Sequence, residues 1–369
     1  MQSAENPWLT GNPLFRLDPS TSYQLMTAPP HRNGILAAGN FIVDRVKLID
    51  IWPSQDALAT ILSEENCNGG GPFNLLVDLA RLYLGKPPFP LRAAGLVGDD
   101  ADGRWIRNLC RSQGIDDSQL RSVSGIPTSY TDVMTVEGTG RRTFFHQRGA
   151  NAVLDEFSVT FAEVPARIFY LGYLLLLDAL DTPRQDGETG ASKLMARARE
   201  EGMITAMDLV SEESQRFRQI IGPALRHTDI LLANEFEASR LSGVTLGASA
   251  VLDGSAVNAA SELLRMGVRQ AVVIHTPMGA LAMLSSGGVF FQPSVAVPDS
   301  EIRGAVGAGD AFAAGFLCGW HEFHPVEECL RLGSVVAAAS LRHPSASGGV
   351  LPWEDCLALA ETWGWRTFG

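Results

Sequence analysis

The residues best placed for chemistry lie in Gly304 to Trp320, GAVGAGDAFAAGFLCGW. A glycine-rich turn runs into an apolar, helix-prone stretch, and the spacing predicts a helix starting near Asp310. Glycine lets backbone approach a ligand because no Cβ intervenes. The first N–H groups of a helix have no intrahelical partner and carry partial positive charge, so they bind anions, phosphate above all. Asp310 puts a carboxylate at the mouth of that site. It can cap the helix or accept a proton, and the stretch alone leaves both readings open. A second glycine-rich turn, Asn68-Gly-Gly-Gly-Pro-Phe-Asn74, also precedes a helical pattern.

These turns need elements to hold them. Short apolar runs at 35–38, 91–97, 167–171, 204–209, 230–233 and 270–275 read as strands. Helical patterns fall near 105–112, 190–201, 213–224 and 255–267, and two more close the chain near 326–341 and 353–361. Strands alternating with helices predict an α/β fold with a central, mostly parallel sheet flanked by helices. Residues 130–136 and 141–146 predict a hairpin, and 42–51 a strand with one face in water. Residues 1–32, with five prolines and no period, read as an irregular arm. Ligands of such sheets bind beyond the carboxyl ends of the strands. Polar residues recur there: Asp44, Asn74, Asp100, Asn151, Asp208, Asn234 with Glu237, and Asp310. Each by itself also reads as a cap or turn residue.

Composition sets the limits. The 369 residues are 46% hydrophobic and 19% charged, enough for a large core. The net charge of −12 argues against nucleic acid as a partner, because phosphate neutralisation needs clustered Lys and Arg. The five cysteines form no C-x-x-C pair and read as buried thiols of a reducing compartment. No apolar run is long enough to span a bilayer and no signal peptide is visible, so a cytoplasmic protein is expected. G-x-x-x-x-G-K-[ST] is absent and the glycines at 304, 307 and 309 do not form G-x-G-x-x-G, which excludes a Walker loop and disfavours a dinucleotide site.

Four motifs occur in order: Gly69-Gly-Gly-Pro-Phe-Asn74, Gly95-Leu-Val-Gly98-Asp-Asp100, Asn234-Glu-Phe-Glu237 and Gly307-Ala-Gly-Asp310. Together they resemble the ribokinase-like (PfkB) family of carbohydrate kinases over about 33 to 355. The resemblance implies an ATP- and magnesium-dependent kinase acting on a hydroxymethyl group of a sugar. It implies a ribokinase-like domain over 33–369, with a small β-sheet lid from 42–65 and 126–148, through which a homodimer can form. Asp310 would be the general base, and the backbone of Gly307, Ala308 and Gly309 the anion hole. Asp44, Gly70, Asn74, Arg148 and Asn151 would face the sugar, Arg148 equally suiting an ordinary surface role. Asn234 and Glu237 would organise magnesium through water, and Thr276 and Gly279 would sit on the nucleotide side. Three departures carry expectations. Gly304-Ala305 replace an Asp-Thr pair, so activation by a monovalent cation is not expected. Ile42 replaces an asparagine found in ribokinases proper, which argues against ribose. Thr276 replaces a glycine, which alters the adenine pocket. A nucleoside kinase of the same fold and a silent sugar-binding protein are the alternatives.

Overall fold

The computed structural model describes residues 32–214 and 216–367; the expected arm lies outside the described residues except for Arg32. Chain order starts with β1 (Ile35–Gly39), an inner strand of a nine-stranded sheet. Beside β1 on one side lie β4 (Leu91–Gly98) and then β5 (Asp116–Val123). On the other side follow β8 (Ile168–Gly172), β9 (Ile204–Met207), β10 (Ile230–Asn234) and β11 (Ala271–Thr276), all parallel. Two antiparallel strands, β12 (Gly279–Leu284) and β13 (Val289–Pro293), finish that edge. β1 has later strands on both sides, so the chain reverses its direction of growth there, which is where such sheets open a crevice.

The parallel strands read as unbroken apolar runs because both their faces are covered. Ile35 and Ala37 point into one core, Leu36 and Ala38 into the other. Helices α1 (Gly71–Leu82), α2 (Ala101–Ser112), α9 (Ala308–His321), α10 (Val326–Ser340) and α11 (Trp353–Trp363) cover the first face. The second is covered by the helices of the middle of the chain: α3 (Asp178–Asp181), α4 (Gly190–Glu200), α5 (Phe217–Leu225), α6 (Glu235–Ser242), α7 (Ala250–Asp253) and α8 (Ser255–Arg265).

A second, four-stranded sheet leaves the first just after β1. Its order is β3 (Ile61–Gly69), β2 (Ile42–Ile49), β6 (Tyr130–Val136) and β7 (Arg142–Gln147). β3 runs past residue 65 to Gly69, so the glycine turn expected over 68–74 contracts to Gly70, and Asn74 lies in the first turn of α1. Strands β3, β5, β12 and β13 were not legible as strands: β3 and β5 are polar edge strands, and β12 is too short for its period to decide. All five cysteines are buried and unpaired. Among the described residues no helix is long and apolar enough to cross a membrane.

Candidate active site

The turns at the carboxyl ends of the strands and the inner face of the small sheet enclose a cleft of about 480 Å³. Asp310 lies at its floor and is 4% exposed. The helix does not begin at Asp310 but at Ala308, with Gly307 as its left-handed cap residue and no side-chain cap. The capping reading of Asp310 is therefore overturned. One carboxylate oxygen instead accepts from Asn74 Nδ2 at 2.8 Å, the other from the Tyr173 hydroxyl. Asn74 is oriented in turn by Asn68, whose Nδ2 donates to Asn74 Oδ1 at 2.7 Å and to Ser347 Oγ at 2.8 Å. Burial pushes Asp310 up to about 6, against the pull of the Tyr173 and Asn74 hydrogen bonds.

Glycine is required at two turns here. Gly70 has φ +88° and Gly307 φ +75°. A Cβ on Gly70 would run into the Asn40 carbonyl, and one on Gly307 into Ala346. Beyond Gly307, the Ala308 N–H reaches the Ala305 carbonyl at 3.3 Å, while the first helical bond is made by Ala311. The N–H groups of Gly309 and Asp310 are those the helix start leaves over.

Asn234 and Glu237 form a full capping box: Glu237 N–H donates to Asn234 Oδ1 at 2.9 Å and Asn234 N–H to Glu237 Oε2 at 3.0 Å. The structural role open to this pair in the sequence is thus real, yet both side chains also line the cleft. Ser211 Oγ donates to Glu237 Oε1 at 2.9 Å. Asp208, at the end of β9, joins them, accepting from the Leu209 N–H and the Tyr170 hydroxyl. Burial drives Asp208 well above the carboxylate range and Glu237 to about 7; the neighbouring acids push the same way.

On the small sheet, Ile42, Asp44, Thr131, Phe144 and His146 face the cleft. Asp44, Thr131 and His146 stand side by side on β2, β6 and β7. Desolvation lifts Asp44 to about 7. Gly70 and Asn74 line the cleft as expected, but Arg148 and Asn151 do not. Arg148 Nη1 donates to the Leu175 carbonyl at 2.9 Å and Asp178 Oδ1 at 2.8 Å. Asn151 is fully buried and clamps the backbone of Phe41. Tyr173, His146 and Thr131 were missed: none sits in a motif, and strand pairing alone brings the last two beside Asp44.

A second cavity of about 380 Å³ adjoins the first across His275 and Gly309. It is mostly apolar, walled by residues such as Pro277, Val297, Phe312 and Leu341, and Thr276 and Gly279 line it. Thr276 Oγ1 donates to the Gly279 carbonyl and shapes the turn.

An open α/β sheet thus carries a polar, acid-rich cleft and an apolar cavity that meet at a helix N-terminus, beyond the carboxyl ends of its strands. The sequence pattern of the pfkB family carbohydrate kinases matches residues 37–354. The chain is 25% identical over 304 residues to the 5-dehydro-2-deoxygluconokinase of Shouchella clausii, covering 79% of this chain and 86% of that one. It is 26% identical over 324 residues to the ATP-dependent ribose-1-phosphate kinase of Halopiger xanaduensis, covering 88% and 96%. Among solved structures, Arabidopsis thaliana ribokinase complexed with ribose and ATP superposes with a TM-score of 0.71 at 21% identity, over 89% of this chain and 98% of that one. The chain belongs to the pfkB family of carbohydrate kinases and is a phosphotransferase with the ribokinase-like fold.

Proposed function

We propose that this protein transfers the γ-phosphoryl group of ATP to a hydroxymethyl group of a sugar, with Asp310 as general base. The observation that carries this is the setting of Asp310: buried, uninvolved in capping, and held by Asn74 and Tyr173 beside the N-terminus of α9. Its carboxylate takes the proton of the attacking hydroxyl, and burial tunes it towards working pH. The Gly307–Gly309 turn would face the transferring phosphoryl group, whose charge backbone amides stabilise without needing a lysine. The Ala308 N–H would have to release its long bond to Ala305, so Gly309 and the Asp310 amide are its readiest donors. The apolar second cavity suits an adenosine moiety, with Thr276 and Gly279 at its edge.

Magnesium fits the donors present. Asp208, Glu237 and Asp310 gather three carboxylates in a cleft whose lining includes no Lys or Arg. Among the described residues no cluster holds a metal unaided, and magnesium needs only one or two carboxylates with waters and phosphates. Glu237, both oxygens engaged, and Asn234 would hold it through water, with Asp208 beside them. Bound there, the ion would neutralise phosphate charge. A monovalent cation has no place in this reading. Gly304 offers no carboxylate, and the Arg142 guanidinium lies against it.

The test is Asp310→Asn. General-base loss lowers kcat by at least about 10², with sugar affinity and melting temperature little changed. A variant that keeps more than about a tenth of wild-type turnover would show that another group takes the proton. A silent binding protein would show no turnover in either form.

A further inference from the structure

The acceptor end of the main cleft carries acids and no cation. It is built from Asp44, Thr131 and His146 of the small sheet and from Asn74, Tyr173 and Asp310 of the core. The basic residues nearby are turned elsewhere. Arg45 is held by Asp102 at 2.6 Å, Lys47 by Asp132, and Arg148 by Asp178. Arg142, two and four residues before Phe144 and His146 on the same strand face, reaches Gly304 instead. His146 does not supply the charge either, because burial and Arg148 both lower its basicity.

What this end does offer is hydrogen-bonding side chains. In register across three strands, Asp44 pairs with Thr131 and Thr131 with His146. Thr131 Oγ1 lies 3.1 Å from His146 Nδ1. That contact occupies Nδ1. It leaves Nε2 as the ring nitrogen open to a ligand hydroxyl, which can donate or accept. Nε2 is buried with no partner, and the ring lines the cleft. A buried ring nitrogen left unpaired in a ligand cleft marks a place for a ligand hydroxyl.

We infer that the acceptor substrate is an uncharged polyhydroxylated molecule read through hydroxyls bonded to Asp44 and His146, and that the cleft rejects acceptors bearing a phosphate or carboxylate. This rests on the phosphoryl-transfer reading above. It also separates this chain from the Halopiger xanaduensis relative, whose named acceptor is a sugar phosphate. An anion here would meet Asp44 and Asp310 with no counter-charge, and like-charge juxtaposition lowers kcat/KM by at least about 10²-fold.

The experiment pairs each free sugar or nucleoside with its monophosphate, and each aldose with its aldonic acid, on the full chain. Turnover is measured with ATP and magnesium, and binding separately by calorimetry without ATP. Neutral acceptors should be used and their anionic partners rejected by at least about 10²-fold. His146→Leu should raise KM for the preferred acceptor about tenfold while leaving KM for ATP unchanged, because a site that loses one hydrogen bond loses roughly that much. His146→Gln, which restores a hydrogen-bonding group, should recover part of it. His146→Arg should narrow the gap between neutral and anionic acceptors. Comparable turnover of an anionic acceptor, or a KM indifferent to all three variants in folded protein, overturns the inference. If nothing is turned over, the phosphoryl-transfer reading fails and calorimetry decides this one. Neutral ligands that bind in a His146-dependent way uphold it; no binding, or preference for the anionic partners, overturns it.

Discussion

At the scale of single residues, the cleft gathers carboxylates that burial keeps protonated more easily than usual. For Asp310 the sign is clear. As the proposed base, raised to about 6, it would be ionised and active above that pH, so kcat should climb as pH rises through 6 and level off above 7. Tyr173→Phe removes a hydrogen bond that favours the ionised form, so the rising limb should move to higher pH by about half a unit or more. A pH–rate profile identical to the wild type would mean that Tyr173 does not tune the base. The motif singles out Asp310, but what separates a base from a cap is the partner set, and Asn74 and Tyr173 come from two separate places in the chain, about a hundred residues apart.

At the scale of elements, the start of α6 does two tasks with one pair of residues. Asn234 and Glu237 close the capping box and also line the cleft. The tasks can be separated, because glutamine at the third position of a capping box still bonds back to the cap. Glu237→Gln should therefore leave the melting temperature within about a degree or two, since the loss to the cap is at most a few tenths of a kcal/mol. The magnesium concentration for half-maximal activity should rise several-fold. Unchanged magnesium dependence would confine Glu237 to capping. The small sheet shows the same economy. Its inner face lines the cleft, while outside the cleft it exposes Trp52, Leu62 and Phe145 at 49%, 46% and 51%. Trp52 stacks on Phe145 at 6.3 Å. Leu62 and Phe145 lie on opposite edge strands of this sheet, and a homodimer formed through the lid would cover both. Sedimentation should show dimers that Leu62→Glu with Phe145→Glu converts to monomers; monomers of the unaltered protein would remove that reading.

At the scale of the whole molecule, gathering buried acids has a cost in stability that depends on pH. Asp44 and Glu237 rise to about 7, Asp310 to about 6, and Asp78 and Asp208 well above the usual range, all chiefly by desolvation. The unfolded chain releases these protons near pH 4, the folded chain later. Between those values the folded state binds more protons, so stability falls as pH rises. Asp100 and Asp117, lowered by their hydrogen bonds despite opposing desolvation, act in the opposite sense and lose their contribution only below about pH 4. The ligand-free protein should melt highest near pH 5 and several degrees lower at pH 8, with ATP and magnesium restoring part of the difference. A melting temperature that rises steadily from pH 5 to 8 would contradict the burial of these acids.

The sequence by itself determined the alternation of strands and helices, the parallel sheet, the glycine-rich turn that opens α9 and the family. Each of these depends on local pattern: apolar period, glycine where φ is positive, and motifs contiguous in the chain. Tertiary structure alone decided what the motifs leave open. It freed Asp310 from capping by bringing Asn74 and Tyr173 to it, and it turned Arg148 to Asp178 and Asn151 to the Phe41 backbone. It placed Thr131 and His146 beside Asp44 through strand register, which pairs residues about a hundred positions apart. Hydrogen-bond partners, burial and the pKa shifts that follow are properties of such long-range juxtapositions, and no local spacing encodes them.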